Sequence, residues 1–222
     1  MSTKLSDLLT ATRDRIDETT ANRWSDAELT RYINKRVGWL QSRIETFNSD
    51  FFLRVETATA AAGENSIGLP ADMRGSKIRA IRVFENASVA SGQGSRIEPG
   101  TLQYVYDNQY VSGTPQKYTM MAEQLKWAPS LQSDSFFRFV YSVKESPLTG
   151  DNSTLEYIND EHVDLISDGA AIDALIKTGA WDNVNGLQGI IKDRLLEVSE
   201  DVQTSDPIMI PQEDIDWYTV SD

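Results

Sequence analysis

The chain contains no cysteine, a single histidine, and no apolar run approaching the roughly 20 residues a membrane-spanning helix requires. Without cysteine there is no disulfide framework, no thiolate metal site and no cysteine nucleophile, which accords with synthesis in a reducing cytoplasm. The opening MSTKLSDLLTATRDRID has neither an unbroken apolar core nor a small-residue cleavage site, so it does not read as a signal peptide. No Gly-rich phosphate loop is followed by lysine, and neither HExxH nor GxSxG occurs. His162, alone near a helix start, reads as a surface or capping residue rather than a general base. The carboxylate pairs Asp160 with Glu161, and Glu197 with Asp201, read as solvated faces, because acid–base chemistry also needs one carboxyl raised by an apolar pocket. The sequence therefore calls for no catalytic residue, no cofactor and no metal.

Charge is present in quantity but unevenly placed. Residues 1–151 hold 18 basic and 18 acidic residues, whereas 152–222 hold three and 16, so the whole net charge of −13 lies in the last third. Such a surface either repels polyanions and draws basic partners, or is a plain solvated helix face. The one modest basic cluster, Lys77, Arg79 and Arg82, lies on a strand candidate with Arg82 on the opposite face, so it does not form a phosphate track.

Hydrophobic periodicity supplies the organisation. Leu5, Leu8, Leu9, Thr12 and Ile16 mark an amphipathic helix. After the polar link Thr19–Arg23, Ser25-Asp-Ala-Glu28 has the form of a capping box, with Trp24 and Leu29 placed as a hydrophobic staple. Leu29, Ile33, Val37, Leu40, Ile44 and Phe47 then form one stripe, so residues 1–50 read as a helical hairpin. From 51 to 150 the period changes. Strand candidates fall at Phe51–Thr57, Ile78–Phe84, Tyr118–Met121, Gln124–Trp127 and Phe136–Val143, with a short helix at Leu102–Tyr110 and turn material between. Tyr118–Met121 and Gln124–Trp127 form a hairpin about Ala122-Glu123.

Helix returns in 151–205. Asn159 is an N-cap with Asp160 and Glu161 in the first turn. Val163, Ile166, Ala170, Ile172, Leu175 and Ile176 cover more than one face, marking a deeply buried helix. A loop over Gly179–Asn185 leads to a narrower stripe of Val184, Leu187, Ile191, Leu195, Val198 and Val202. Residues 206–222 carry two prolines and no helical period, and read as an extended acidic arm. The expected fold class is α+β: a four-helix body, two helices on each side of a small antiparallel β insertion, followed by that arm.

These segments together resemble the head-to-tail connector, or adaptor, proteins of tailed bacteriophages, particularly short-tailed ones. The resemblance is carried in order by WSDAELTRYIN (24–34), LPADM (69–73), GTPQKY (113–118), LKWAPS (125–130) and the run FVYSVKESPLTGDNSTLEYINDEHVDLISDGAAIDAL (139–175). It departs at Trp127-Ala128, where a plain aliphatic-Pro step is usual, and at Tyr157-Ile158-Asn159 in place of Ile-Pro. The resemblance implies a homo-oligomeric ring, a dodecamer, in the virion neck. It would be assembled in the host cytoplasm, bind the portal protein and carry the tail nozzle. Genomic DNA would pass through without specific binding, and no membrane would be involved. On that basis Glu197, Glu200 and Asp201 are expected to line the channel. Ile208, Ile210, Trp217 and Tyr218 of the arm are expected to meet the portal or an adjacent copy. The hairpin residues Tyr118, Met120 and Trp127 either meet the tail or a neighbour, or complete the chain's own sheet. The rival reading is a helical binding module or chaperone of phage assembly that is absent from the virion.

Overall fold

The computed structural model describes residues 3–18, 23–84 and 94–203. In chain order these form α1 (Leu5–Arg15), α2 (Asp26–Phe47), β1 (Leu53–Ala60), β2 (Ser66–Gly68), β3 (Met73–Phe84), β4 (Ser95–Arg96) and β5 (Glu98–Pro99). They continue through α3 (Leu102–Asn108), β6 (Ser112–Gly113), β7 (Lys117–Met121), β8 (Gln124–Ala128), β9 (Ser130–Leu131) and β10 (Ser135–Val143). A 3-10 turn (Asp160–His162), α4 (Asp164–Thr178) and α5 (Trp181–Gln203) complete the chain. The described residues up to 51 and from 145 onward form one compact unit, and those from 52 to 144 another.

The expectation of a four-helix body with a small antiparallel insertion is corrected by this architecture. The described residues hold five α-helices and ten strands in three sheets, a mixed and sheet-rich α+β fold. The short helix expected at Leu102–Tyr110 is present as α3 in the second unit, but two strand pairs there, β5 with β7 and β6 with β9, are parallel. The strands that escaped the pattern are two or three residues long. A period of two needs four or more residues to register, yet two residues suffice to pair backbones.

In the helical unit α4 is the central element, packed against α1, α2 and α5. Its buried Leu165, Ile166, Ala170, Ala171, Ile172, Ala174 and Leu175 cover more than one face, and its alanines allow close approach. Leu29, Ile33, Val37, Leu40 and Ile44 of α2 are buried as the stripe requires. Ser25 caps α2 by accepting the Glu28 N–H at 3.3 Å. The reciprocal half of the expected capping box is replaced: the Glu28 carboxylate takes Lys177 Nζ at 2.6 Å, because a cation on α4 outcompetes a local N–H. Asn159 precedes the 3-10 turn rather than α4 itself. The expected Gly179–Asn185 loop shrinks to Gly179-Ala180, with Gly179 at φ +75 closing α4 in the left-handed conformation.

The β unit contains two four-stranded sheets, ordered β1-β10-β3-β4 and β2-β8-β7-β5, and the two-stranded β6-β9. β10 lies between β1 and β3 in antiparallel register, with Val55 opposite Val140 and Phe139 opposite Ile81. The two larger sheets meet where the Trp127 ring of β8 lies 4.3 Å from the Phe137 ring of β10, with Phe139 stacked beyond it at 6.3 Å. Trp127 is fully buried. On the other face of β10, Val140 packs with Leu53, Val55 and Ala80.

Candidate functional site

Three features of the two units are built with more precision than packing alone requires. The first is the ionic framework of α4. Asp168 is buried and accepts from Arg15 Nε of α1 at 2.7 Å and from Arg194 Nη1 of α5 at 2.8 Å. Asp173 receives Arg36 of α2 in a two-pronged contact, Nη2 at 2.7 Å and Nε at 2.9 Å, with Lys35 Nζ at 3.2 Å. The hydrogen bond to Asp168, reinforced by its charge, raises the Arg15 pKa against the opposing effect of burial. Each aspartate therefore selects one neighbouring helix, or two, and the planar guanidinium fixes orientation as well as charge.

The second is the support of the motifs themselves. Asp72 of the LPADM turn accepts from Arg54 Nη1 at 2.7 Å and lies 2.8 Å from the Tyr141 hydroxyl, which is also 2.8 Å from Glu56. Burial, and then these two carboxylates, push the Tyr141 pKa up, so the phenol stays protonated as a donor. Buried Glu145, of the ESPL segment, accepts backbone N–H groups from Glu156, Tyr157 and Ile158 at 3.2, 2.6 and 2.9 Å. Its pKa is raised by burial, against the lowering effect of those three bonds. Asn34 of the WSDAEL helix bonds both backbone groups of Leu148. Residues far apart in the chain thus anchor one another's loops.

The third is the outward surface. Glu197, Glu200 and Asp201 are all exposed on α5. Of the hairpin residues, Tyr118 and Trp127 are buried and Met120 is half-buried. Tyr118 and Trp127 belong to their own unit's core, so neither offers contact surface in this fold. Among the described residues of this unit, the exposed large apolar side chains are instead Leu102, Tyr106, Val111 and Met121, with Tyr110 at 90% exposure. The Tyr106 hydroxyl lies 3.9 Å from Met121 Sδ. Tyr106 and Tyr110 fall within the short helix expected at Leu102–Tyr110, and Val111 just past it, in a segment too short for its period to assign a face. Ile208, Ile210, Trp217 and Tyr218 lie outside the described residues. His162 is buried at 5% exposure and lines a cleft of about 220 Å³ between the 3-10 turn, the start of α4 and the last turns of α5.

The chain belongs to the SU10 adaptor protein family, phage head–tail adaptors, whose family model matches residues 3–204. That span covers every described element of both units. No curated protein matches the chain.

Proposed function

We propose that this phage adaptor protein is a structural component of the virion neck that assembles as a ring, joins the portal vertex to the tail nozzle, and lets the genome pass through its centre. The observation that carries the reading is the family match across residues 3–204. In this reading the exposed carboxylates Glu197, Glu200 and Asp201 line the DNA path, where a repeated negative surface keeps a polyanion from adhering. The exposed Tyr106, Tyr110, Val111 and Met121, together with Met120, meet a neighbouring copy or the tail component. The arm's Ile208, Ile210, Trp217 and Tyr218 dock on the portal or an adjacent copy, and repetition around a ring multiplies each weak contact.

Mass spectrometry of purified particles, followed by imaging of the neck, tests this directly. The protein is expected in mature particles as a closed ring beneath the portal. Its absence from them, with a monomeric purified chain, would favour the chaperone alternative. Truncation after Ser205 separates the arm's role from folding: the shortened chain is expected to fold normally and attach poorly to portal.

A further inference from the structure

The β unit carries an exposed apolar patch with two cations set beside it. Leu102 and Tyr106 lie one helical turn apart on α3 and are exposed, and the Tyr106 hydroxyl lies 3.9 Å from Sδ of exposed Met121 on β7. Lys126 Nζ stands 5.9 Å from the centre of the Tyr106 ring, and Lys117 Nζ stands 5.2 Å from that of half-buried Tyr104. Neither lysine meets a carboxylate at ion-pair distance among the described residues, and Asp107 of α3 accepts from Gln103 Nε2 at 2.7 Å. Apolar side chains exposed singly are ordinary, whereas a leucine, a tyrosine and a methionine grouped beside lysines form a docking surface.

Charge and composition point to one occupant. Residues 52–144 hold ten basic and eight acidic side chains, whereas 145–206 hold three and 14. Residues 207–222, which lie outside the described residues, hold four acidic and no basic side chains. The acidic segment that they follow repels them, and the β unit draws them. Asp214 and Asp216 flank Ile215, and Asp216 precedes Trp217, so each apolar anchor arrives with a carboxylate beside it, as Tyr104 and Tyr106 each have a lysine. Extended, residues 204–222 reach about 60 Å from the end of α5. Their tether holds them at an effective concentration of about 1 mM, above that of another copy's arm in dilute solution. We propose that in the unassembled chain this patch is covered by the chain's own arm, with Ile215 and Trp217 on Leu102, Tyr106 and Met121 and the arm's carboxylates on Lys117 and Lys126. The cover keeps an apolar surface from associating before its partners are present. Where the portal takes up the arm, the patch is uncovered for a neighbouring copy; that consequence rests on the adaptor reading, and the cover itself does not.

The absence of cysteine allows a single tag to be placed. Ser221→Cys carrying a nitroxide is introduced into the isotopically labelled chain at about 100 μM, roughly tenfold below the effective concentration of the tether. The amide signals of Leu102, Tyr106 and Met121 are expected to broaden, and to sharpen again when the nitroxide is reduced. In a mixture of labelled untagged chain with unlabelled tagged chain, they are expected to stay sharp. Replacing both anchors, Ile215→Ser with Trp217→Ser, is expected to abolish the broadening in the tagged chain. Lys117→Gln with Lys126→Gln is expected to reduce it about twofold. Patch signals that do not broaden overturn the proposal. So does broadening as strong in the mixture, which makes the occupant a second copy's arm, and so does broadening that survives the loss of both anchors. None of these outcomes bears on ring formation, which is read separately by imaging of the neck.

Discussion

In the helical unit, three aspartates of α4 reach arginines on α1, α2 and α5, whereas the core of the β unit is aromatic, with Trp127 on Phe137 and Phe139. The difference follows from what each kind of element leaves undetermined. Strands fix their neighbours through backbone register, and a one-residue slip would turn every side chain to the wrong face. Helices satisfy their backbone internally, so apolar stripes alone allow several rotations and partners. Charged pairs remove that freedom. Asp168 can satisfy both Arg15 and Arg194 in only one arrangement of α1, α4 and α5.

The aromatic side of this comparison should yield the largest single effect. Trp127→Ala empties a fully buried site between two sheets and is expected to cost about 3–5 kcal/mol. Chemical denaturation followed by circular dichroism would show it as a large fall in midpoint. A change under about 1 kcal/mol would mean that the two sheets do not depend on this contact. On the ionic side, Asp168→Ala strips a buried acceptor from two guanidiniums. Because the arginine side chains are each about one-third exposed and can turn to water, the cost should be about 2–3 kcal/mol, below that of a fully buried pair. Adding Arg15→Met to Asp168→Ala should cost less than the two single changes combined. Strict additivity would show that Arg15 and Asp168 do not act as a pair.

The same contrast explains what was legible in the sequence. Helices α1, α2, α4 and α5 and the strands β1, β3, β7, β8 and β10 announce themselves by period, because each has a long apolar face. Asn183, Asn185 and Gly186 disguised the first turns of α5, since poor helix formers read as loop although the helix begins at Trp181. The ionic framework carried no readable sign. Arg15 and Asp168 are separated by 153 positions and Glu28 and Lys177 by 149, and spacing rules see only neighbours. For the same reason Tyr118 and Trp127 looked like contact residues: an aromatic on a hairpin has the same local pattern whether its face meets another sheet or solvent. Among the described residues of the surfaces named from sequence, the α5 carboxylates are exposed and Met120 is half-buried.

Glu145 tests whether polar anchoring behaves differently from apolar packing as pH changes. Its folded pKa is raised above the unfolded value by burial, so the folded state holds the proton more tightly. The stability tied to that proton is fully present below the ordinary carboxylate pKa and is lost as pH rises through the folded pKa. His162 has the opposite sign. Its lowered pKa gives stability that is present above about 6.5 and is lost as pH falls through the folded value. Comparing wild type with Glu145→Gln removes the histidine contribution, which both share. The wild-type advantage should shrink between pH 4 and neutrality, measured by urea midpoints at each pH. A growing advantage would show that the three N–H bonds outweigh burial.

The smallest effect lies in the β unit and tests whether register there is fixed by the strands or by their turn. Ala122 and Glu123 connect β7 to β8, with Met121 opposite Gln124, and Ala122 sits at φ +55. A left-handed conformation brings the alanine Cβ toward the following carbonyl and costs about 1–2 kcal/mol, which glycine avoids. Glycine also has more freedom to lose on folding, so the net gain is smaller. Ala122→Gly is therefore expected to stabilise the β unit by about 0.5–1 kcal/mol. The interstrand pairs Tyr118 with Trp127 and Met120 with Leu125 should stay unchanged, because burial of Tyr118, Trp127 and Leu125 holds the register independently of the turn. A raised denaturation midpoint together with preserved cross-strand nuclear Overhauser effects is the expected result. A lowered midpoint would mean that this turn does not adopt the left-handed geometry, and altered cross-strand pairs would mean that the turn, not the buried aromatic face, sets the register.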